Sequence, residues 1–498
     1  MSASPSQQAV LLPPKLLAAL VGIFISAMMA GLNNRVGALG LVDVQGALGF
    51  SPDDASWINT SYLAGEILVT PFATWFAITL SIRRFHTFAV VVIAAIALYL
   101  PFVQNLALFV ALRFVQGMAS GALVPLLMMM ALKALPLNIR LHGLALYAMT
   151  ATFSPNIAVW LSGQWTDGMQ MWQFTYWQVI PLCIIAIGLV NWGAPKEPVN
   201  YARFPQGDWL GMAFGIVSLT LLTVALSQGE RLDWFNSRLI TLCVVNGLVL
   251  LGLFVACELT HPTPFIDLRL LKRKNLGLGS LIFTVLLMVF MSATLLPMTF
   301  LSNVAQYRVY QSIPLALIIG LPQLVLGSMV ALLLYKKWVD ARKVFALGLL
   351  TVATACFVAG HVSAEWHRTE FYLAQILQAV GQPMAVVSML FLMTSVVDPK
   401  EGPYFSGIIN TFRVIGTLLG GSLISHLLVT RGQFHSTLLV GYEAMSHNDT
   451  PQNLVHQIAS QSLTLSIADI YYLFAIAACL MIPLVLNMTF VPAPSVKH

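Results

Sequence analysis

The chain has 498 residues, of which 58% are apolar and only 9% are charged, and its formal net charge is +6 at pH 7. Water-soluble domains carry about a quarter charged residues, so this composition excludes a chain built of such domains. The positive charge does not by itself indicate a nucleic-acid partner, because the basic residues fall between long apolar runs.

Apolar runs recur along the whole chain, each long enough to cross a hydrocarbon core as a helix of about 20 residues. They predict an all-α polytopic membrane protein with about fourteen spans and both termini on one side. In chain order, the predicted spans are 16–40, 55–80, 85–104, 106–131, 141–165, 175–194, 208–228, 238–258, 276–301, 312–335, 343–362, 369–396, 403–428 and 467–490.

The segment 195–275 interrupts the series, because proline and charge bracket a single helical pair there. Without this pair, six spans come before the segment and six after it. This is the arrangement of two repeats that share a central cavity. We therefore predict an N-terminal six-helix bundle over 1–195, an inserted helix pair with its linkers over 196–275, and a C-terminal six-helix bundle over 276–498.

The segment 429–466 is predicted as the one long outer loop of the C-terminal bundle. Within it, Asp449-Thr450 can cap a helix with Pro451 near its first position, and Leu454 and Ile458 follow at i, i+4 spacing. This spacing predicts an amphipathic helix on the outer surface. A flexible loop is the alternative.

The basic residues are distributed unequally between the loops on the two sides of the membrane. With a cytoplasmic N-terminus, the outer loops hold only Arg231, Arg238, Arg308, Arg368 and Arg431, and the other basic loop residues lie inside. This bias predicts a multi-pass protein of the cell inner membrane, or plasma membrane, with both termini cytoplasmic.

No enzymatic chemistry is predicted. The chain has no GxxxxGK[ST] sequence for a nucleotide, and its outer histidines lack the spacing of metal ligands. We therefore expect no cofactor, no metal and no pump driven by its own ATP hydrolysis.

Polar residues inside the predicted spans are few. Because such residues are costly in lipid, they are functional candidates. They are Asn33, Asn34, Arg35, Tyr62, Glu66, Arg113, Gln116, Asn156, Gln375, Gln378, Gln382, Asn410 and Arg413.

Glu66 is predicted to lie near the middle of the membrane, roughly 18 Å along its helix from Asp53 and Asp54. Burial disfavours an ionised carboxyl, and a nearby guanidinium favours it. A Glu66 that moves toward and away from Arg113 could therefore take up and release a proton. The alternative is a permanent pair of Glu66 with Arg113 or Arg35 that only fixes the helix packing.

Several stretches of the sequence, taken together, are specific enough to indicate a protein family. They are Trp57-Ile58-Asn59-Thr60-Ser61-Tyr62, Arg113 to Gly121, Ser227 to Phe235, Pro264-Phe265-Ile266-Asp267-Leu268, and Asn410-Thr411-Phe412-Arg413 with Gly416 and Gly420. In these residues the chain resembles the major facilitator superfamily, and within it the fourteen-helix drug:proton antiporter branch that includes the EMR-type multidrug exporters.

The resemblance implies an exporter that expels small amphipathic compounds in exchange for protons, by rocking of two halves about a midplane cavity. It implies a proton-coupling role for Arg113, with Glu66 as the proton site because Asn33 replaces the acidic residue usual in the first span. The predicted substrate contacts are Asn33, Asn34, Tyr62, Gln116, Asn156 and Arg413.

The latch that the family carries after its second span is eroded here to Thr74 through Ser81, with Arg83 and Arg84 as its basic end. Its later counterpart is better kept as Asp340 and Arg342. The resemblance therefore implies a gating role for these four charged residues.

Two other functions stay open. One is a dedicated exporter of an endogenous metabolite such as a siderophore or fatty acid, and the other is a non-transporting membrane sensor. For an exporter, the resemblance also implies a periplasmic adaptor protein and an outer-membrane channel, with 429–466 as the docking surface.

Overall fold

The computed structural model describes residues 13–136, 139–443 and 451–493, and within these ranges it contains helices and no strand. Among the described residues, thirteen helical segments are long and apolar enough to cross a membrane. The bent pair α3 (Pro52–Val69) and α4 (Ala73–Leu80) makes a fourteenth if it is one span. The all-α membrane fold with about fourteen spans is confirmed.

The N-terminal half runs through ten helices. They are α1 (Pro14–Leu39), α2 (Leu41–Leu48), α3 and α4, α5 (Ile82–Tyr99), α6 (Leu106–Gly121), α7 (Leu123–Ala134), α8 (Arg140–Gly163), α9 (Phe174–Trp177) and α10 (Val179–Gly193). The α3–α4 bend is 59°. It falls at Pro71, which has no amide hydrogen to continue the helix.

The inserted pair and the C-terminal half supply the remaining helices. They are α11 (Trp209–Gln228), α12 (Arg238–Thr260), α13 (Lys274–Phe290), α14 (Leu295–Asn303), α15 (Val309–Leu334), α16 (Ala341–Ala359), α17 (Tyr372–Thr394), α18 (Gly402–Glu443) and α19 (Pro451–Leu486). Helices α11 and α12 pack on each other, and α11 also contacts α3 and α18. The predicted domain boundaries near 195 and 275 stay predictions.

The two faces of the bundle differ in how the halves meet. We call the face where α1 begins the terminal face and the opposite one the distal face. At the terminal face, Thr74 Oγ1 donates to the Pro403 carbonyl over 2.9 Å, and Ser406 Oγ donates to the Pro125 carbonyl over 2.6 Å. Both bonds join the N-terminal half to the C-terminal half, so the halves are in contact there.

An aromatic cluster holds α4 against the linkers of the inserted pair. The Trp75 ring lies 4.7 Å from that of Phe265, 5.8 Å from that of Trp209 and 6.0 Å from that of Phe204, measured between centroids. Edge-to-face aromatic pairs of this kind add stabilisation beyond the apolar area that they bury. The eroded latch sequence is thus part of a packed aromatic contact.

The long outer loop expected over 429–466 is largely helical. Helix α18 has 42 residues, or about 63 Å at 1.5 Å per residue, which is about twice the thickness of a hydrocarbon core. Asp469 on α19 joins the two helices, with its Oδ2 2.6 Å from Arg431 Nη2 and 2.8 Å from His435 Nε2.

The separate surface helix is therefore a wrong prediction, because α19 continues unbroken from Pro451 into the last span. The cap predicted at Asp449-Thr450 lies outside the described residues. Hydropathy falls where lipid ends, whereas a helix continues as long as its backbone bonds and side-chain pairs support it.

An ion pair at the terminal face ties the start of α13 to the start of α18. Arg273 Nη1 and Nη2 donate to the Glu401 carboxylate over 2.7 and 2.6 Å. These hydrogen bonds from Arg273 lower the pKa of the Glu401 carboxyl. The pair therefore contributes stability above the ordinary glutamate pKa of about 4.3, and this contribution is lost as pH falls through the folded-state pKa.

We expect Glu401→Gln to lower the free energy of unfolding by about 1 kcal/mol at neutral pH, since water partly screens this half-exposed pair. At acidic pH the difference in unfolding temperature between the variant and the wild type should be smaller, because Glu401 takes up a proton and the pair is lost as pH falls through its lowered folded-state pKa. Thermal unfolding in detergent at the two pH values measures the difference. An equal loss at both pH values would show that packing, not charge, is responsible.

Candidate functional site

A cavity of about 440 Å³ lies between the two halves and the inserted helix α11. Its lining comes mainly from α1, α3, α11 and α18 and extends to residues near the distal ends of these helices. The lining residues are Gly31, Asn34, Arg35, Ala38, Leu41, Ser56, Asn59, Thr60, Leu63, Glu66, Leu226, Ser227, Gln228, Glu230, Met291, Arg413, Val414, Thr417, Leu418, Gly421, Ser422 and Ser425.

An ion pair crosses from one half to the other within this cavity. Glu66 Oε1 on α3 lies 3.6 Å from Arg413 Nη2 on α18, and the two side chains are only 14% and 8% exposed. Because α3 and α18 belong to different halves, any movement that separates the halves at this level must lengthen or break the pair.

Arg35 brings a second guanidinium to the same cavity. Its Nη1 donates to the Thr150 carbonyl over 3.4 Å and to Ser154 Oγ over 3.2 Å, both neutral acceptors on α8. Among the described residues, no carboxylate forms an ion pair with Arg35. The cavity is thus lined by two guanidinium groups from opposite halves and by two carboxylates, Glu66 and Glu230, of which Glu230 is paired with His426.

Arg113 occupies a separate buried cluster. Its guanidinium carbon lies 4.2 Å from the centre of the Tyr62 ring and 5.6 Å from that of Tyr176, and its Nη1 donates to Gln116 Oε1 over 2.8 Å. The expected contact between Arg113 and Glu66 is not found in this conformation. Tyr62 lies one helical turn before Glu66 on α3, so its ring covers the guanidinium in place of the carboxylate.

The Tyr62 hydroxyl extends this cluster toward α1 and α6. It donates to Ser120 Oγ over 2.6 Å, and Asn33 Nδ2 donates to it over 3.4 Å. Asn33, Tyr62 and Gln116 are fully buried and do not line the cavity. Three of the six predicted substrate contacts therefore belong to the buried cluster formed by Arg113 and Tyr62 instead.

The other three predicted contacts do face open space. Asn34 and Arg413 line the large cavity. Asn156 lines a smaller cavity of about 70 Å³ that shares Arg35, Met291 and Thr417 with the large one. The two cavities therefore adjoin.

Glycines fix the position of Glu66 in the bundle. A Cβ on Gly117 of α6 would meet the Tyr62 carbonyl oxygen of α3, and one on Gly121 would meet the Glu66 carbonyl oxygen. Gly65 of α3 lies in the same way against the Phe114 carbonyl oxygen. The two helices therefore approach each other closely here, and the contact leaves no room for a side chain.

Each predicted gating residue that forms a contact in this conformation forms it within its own half of the protein. Arg83 Nε donates to Asn191 Oδ1 over 2.8 Å, and Arg84 is exposed. Arg342 Nη2 lies 2.8 Å from Asp340 Oδ2, and its Nη1 donates to the Met488 carbonyl over 3.1 Å. None of these contacts joins the two halves, and a gating role for the four residues stays a prediction.

The loop that follows α11 bridges the distal rim of the cavity. Gln228 Nε2, at the end of α11 where the loop begins, donates to Thr60 Oγ1 of α3 over 2.6 Å. Glu230 Oε2 lies 2.9 Å from His426 Nδ1, which ties the loop to α18, and it also accepts from Trp234 Nε1 over 2.7 Å. The stretch from Ser227 to Phe235 stood out in the sequence, but nothing in the sequence placed it beside the cavity.

Comparison with known proteins gives a consistent result across most of the chain. Residues 21–339 match the Major Facilitator Superfamily. The chain is 25% identical to the Fatty acid resistance protein FarB of Neisseria gonorrhoeae over 92% of this chain and 91% of that protein. It is 25% identical to the Colistin resistance protein EmrB of Acinetobacter baumannii over 88% and 83%, and 22% identical to the Multidrug export protein EmrB of Escherichia coli K12 over 84% and 81%.

A solved structure shares the fold. The proton:xylose symporter XylE, of the major facilitator superfamily, aligns with a TM-score of 0.57 over 96% of this chain and 97% of that chain, at 14% sequence identity. At this identity the likeness concerns the arrangement of the helices alone.

Proposed function

The chain belongs to the major facilitator superfamily, and we propose that it is a proton-coupled secondary exporter of small amphipathic compounds that works by alternating access. The observation that carries this proposal is the Glu66–Arg413 pair, which joins the two halves inside the central cavity. The names of the relatives, which refer to multidrug export and to resistance, support export as the direction of transport.

Protonation of Glu66 reverses the interaction between the halves. With the carboxylate ionised, Glu66 and Arg413 attract across the cavity, by on the order of 4 kcal/mol for unit charges about 4 Å apart at an effective dielectric constant near 20. With Glu66 neutral, Arg35 and Arg413 remain as like charges that belong to opposite halves. A change of this size is comparable to the few kcal/mol that separate transporter conformations.

The coupling follows from this switch. A proton that reaches Glu66 from the distal face releases the pair and lets the halves separate at the terminal face, where the proton is lost. Substrate then binds from the terminal face, and the deprotonated protein with its bound substrate returns to the conformation in which the Glu66–Arg413 pair joins the halves. In this scheme Glu66 is the proton site, and the Arg113 cluster with Asn33, Tyr62 and Gln116 positions α3.

The cavity suits an amphipathic compound. Leu63, Leu226 and Leu418 give an apolar lining, whereas Asn34 and Arg413 offer polar groups. Binding sites that accept varied small molecules combine these two features. We propose Asn34, Asn156 and Arg413 as substrate contacts.

The direct test uses purified protein in liposomes with an imposed pH gradient. We expect uphill accumulation of amphipathic dyes that follows the gradient and collapses when an uncoupler removes it. Transport that runs only downhill, whatever the gradient, would contradict the coupling.

A dedicated exporter of an endogenous metabolite, such as a fatty acid, is the second candidate. The Fatty acid resistance protein among the relatives favours it. A deletion strain discriminates between the two: sensitivity to many unrelated compounds supports broad export, and sensitivity to one metabolite class supports the dedicated role.

The terminal face is proposed to be cytoplasmic, in the cell inner membrane. Basic residues concentrate there, at Lys196, Arg203, Arg273 and Lys400, in the loops between spans. Cytoplasmic loops carry this excess of lysine and arginine. The distal face, toward which the lining of the cavity extends, then faces the periplasm.

The helical extension of α18 and α19 is proposed as the docking surface for a periplasmic adaptor protein, which would pass the substrate to an outer-membrane channel. Phe434, Leu438 and Val440 on α18 and Val455 on α19 are exposed apolar residues. By helix length they lie beyond the hydrocarbon core, where exposed apolar groups indicate a protein partner.

Removing residues 440–462 should abolish resistance in cells and leave transport in liposomes unchanged, because the cavity and its ion pair lie elsewhere. Resistance assays paired with liposome uptake measure the two effects. A matched variant, Val455→Asp, tests the apolar surface without shortening the helices. Loss of transport in liposomes as well would exclude a role confined to docking.

A further inference from the structure

We propose that the inserted helix α11 forms part of the substrate-binding site, and that Ser227 on its last turn contacts the polar group of the bound compound. The inference rests on the proposed export function and makes it more specific. In this proposal, residues of both halves and of the inserted pair together form the binding site.

The end of α11 forms part of the wall of the cavity. Leu226, Ser227 and Gln228 line the same cavity as Glu66 and Arg413. A helix that served only to fill the lipid-facing side of the bundle would have no residue there. The last turn of α11 therefore stands between α3 and α18, both of which it contacts.

The last turn of α11 and the loop that follows it are held from both sides. On the α3 side, Gln228 bonds to Thr60, and Arg231 Nη1 lies 3.4 Å from Asp53 Oδ1. On the α18 side, Glu230 is held by His426. A wall that is anchored to both halves keeps a defined position beside the ion pair, as a specific binding surface requires.

Several residues that line this cavity have polar atoms that form no hydrogen bond with the described residues. Asn34 Oδ1, Asn59 Oδ1, Ser227 Oγ and Arg413 Nε are buried polar atoms without a partner among the residues that the structure describes. All four residues line the cavity. Buried polar atoms are normally paired, so small side-chain rotations that turn these groups toward a ligand would satisfy them.

The chemistry of the set defines the class of ligand. Arg413 and the amide nitrogens donate, the amide oxygens accept, and the Ser227 hydroxyl can do both. A matching compound has an apolar body and a head with hydrogen-bond donors and acceptors, such as an amide or a hydroxy acid. We place this head toward Asn59 and Ser227.

The test is site-directed labelling of Ser227→Cys with a membrane-impermeant maleimide in the full-length protein, with wild type as the blank for the five native cysteines. Ser237→Cys is the matched control, because Ser237 lies nearby, on the connection between α11 and α12, and does not line the cavity. The probe is 2-hydroxydodecanoate, which has an apolar chain and a hydroxy-acid head, at concentrations at which the wild type transports it in the gradient assay.

At a probe concentration near ten times its Kd, about one site in eleven is free, so labelling of Ser227→Cys should slow about tenfold. Labelling of Ser237→Cys should stay the same. If the probe leaves the labelling of Ser227→Cys unchanged, or if this cysteine does not react at all, α11 is not part of the binding site.

Transport kinetics give an independent result. Ser227→Ala should raise KM severalfold for amphiphiles with a hydroxyl or amide head, while kcat and the ratio of protons to substrate stay as in the wild type. An unchanged KM would overturn the inference and leave the export function intact. Failure of the wild type to transport any probe would instead reject the export function itself.

Discussion

Replacing Glu66 by glutamine should abolish uphill transport and retain exchange of substrate between the two sides of a liposome. Glutamine keeps the shape of the side chain and cannot ionise, so the variant behaves as permanently protonated. Loss of an attraction on the order of 4 kcal/mol corresponds to a change of roughly a thousandfold in the equilibrium that it biases. We therefore expect gradient-driven accumulation at background level, measured by uptake in the presence and absence of a pH gradient.

Two control variants make this result specific. Glu365→Gln removes an exposed carboxyl that lies outside the spans and should transport like the wild type. Arg413→Lys keeps a positive charge opposite Glu66 and should retain part of the uphill transport. Full uphill transport by Glu66→Gln would contradict the assignment of Glu66 as the proton site.

Replacing Gly117 by alanine should damage both stability and transport. The added Cβ would meet the Tyr62 carbonyl oxygen, and a backbone atom cannot rotate away as a side-chain end can. Overpacking of this kind typically costs about 1–3 kcal/mol. Because α3 carries Tyr62 and Glu66, pushing it away from α6 also moves the ion pair, so uptake should fall together with the unfolding temperature.

Gly188→Ala is the matched control for this variant. Gly188 lies within α10, and apart from its chain neighbours and the nearby backbone of its own helix, no atom that the structure describes lies within 4 Å of the position where its Cβ would be. Alanine is the better helix former, so this variant should unfold at the same temperature as the wild type or slightly higher. A Gly117→Ala protein that is as stable and active as the wild type would show that the α3–α6 contact tolerates separation.

The spans could be predicted because lipid constrains them so strongly. Every backbone polar group in the hydrocarbon core must be paired within its own helix, which makes hydropathy a sufficient signal for a span. The same signal could not reveal the bend at Pro71, whose cost depends on the neighbouring helices. It also could not reveal how far α18 continues past the lipid.

The site was predicted in part for a related reason. Polar residues inside apolar spans are rare, so the sequence identified Glu66, Arg113 and Arg413 as candidates. It could not choose partners among them, since that depends on which helices adjoin and which way each is rotated. Glu66 faces α18 and Tyr62 faces Arg113, although the two lie one turn apart on the same helix.

The contribution of α11 to the cavity could not be predicted from the sequence. Its polar C-terminal end, at Ser227 and Gln228, resembles the ordinary end of a span when it is read along the chain. Only the packing of α11 between α3 and α18 brings those residues beside the ion pair.

Proton release on substrate binding tests the central claim most directly, namely that the Glu66–Arg413 pair links proton and substrate. The protein is held in lightly buffered detergent solution at several pH values, and a transported amphiphile is added to wild type and to Glu66→Gln. We predict that binding releases protons from the wild type and none from the variant. Binding without proton release from the wild type, or equal release from both proteins, would contradict the account and leave Glu66 with a structural role.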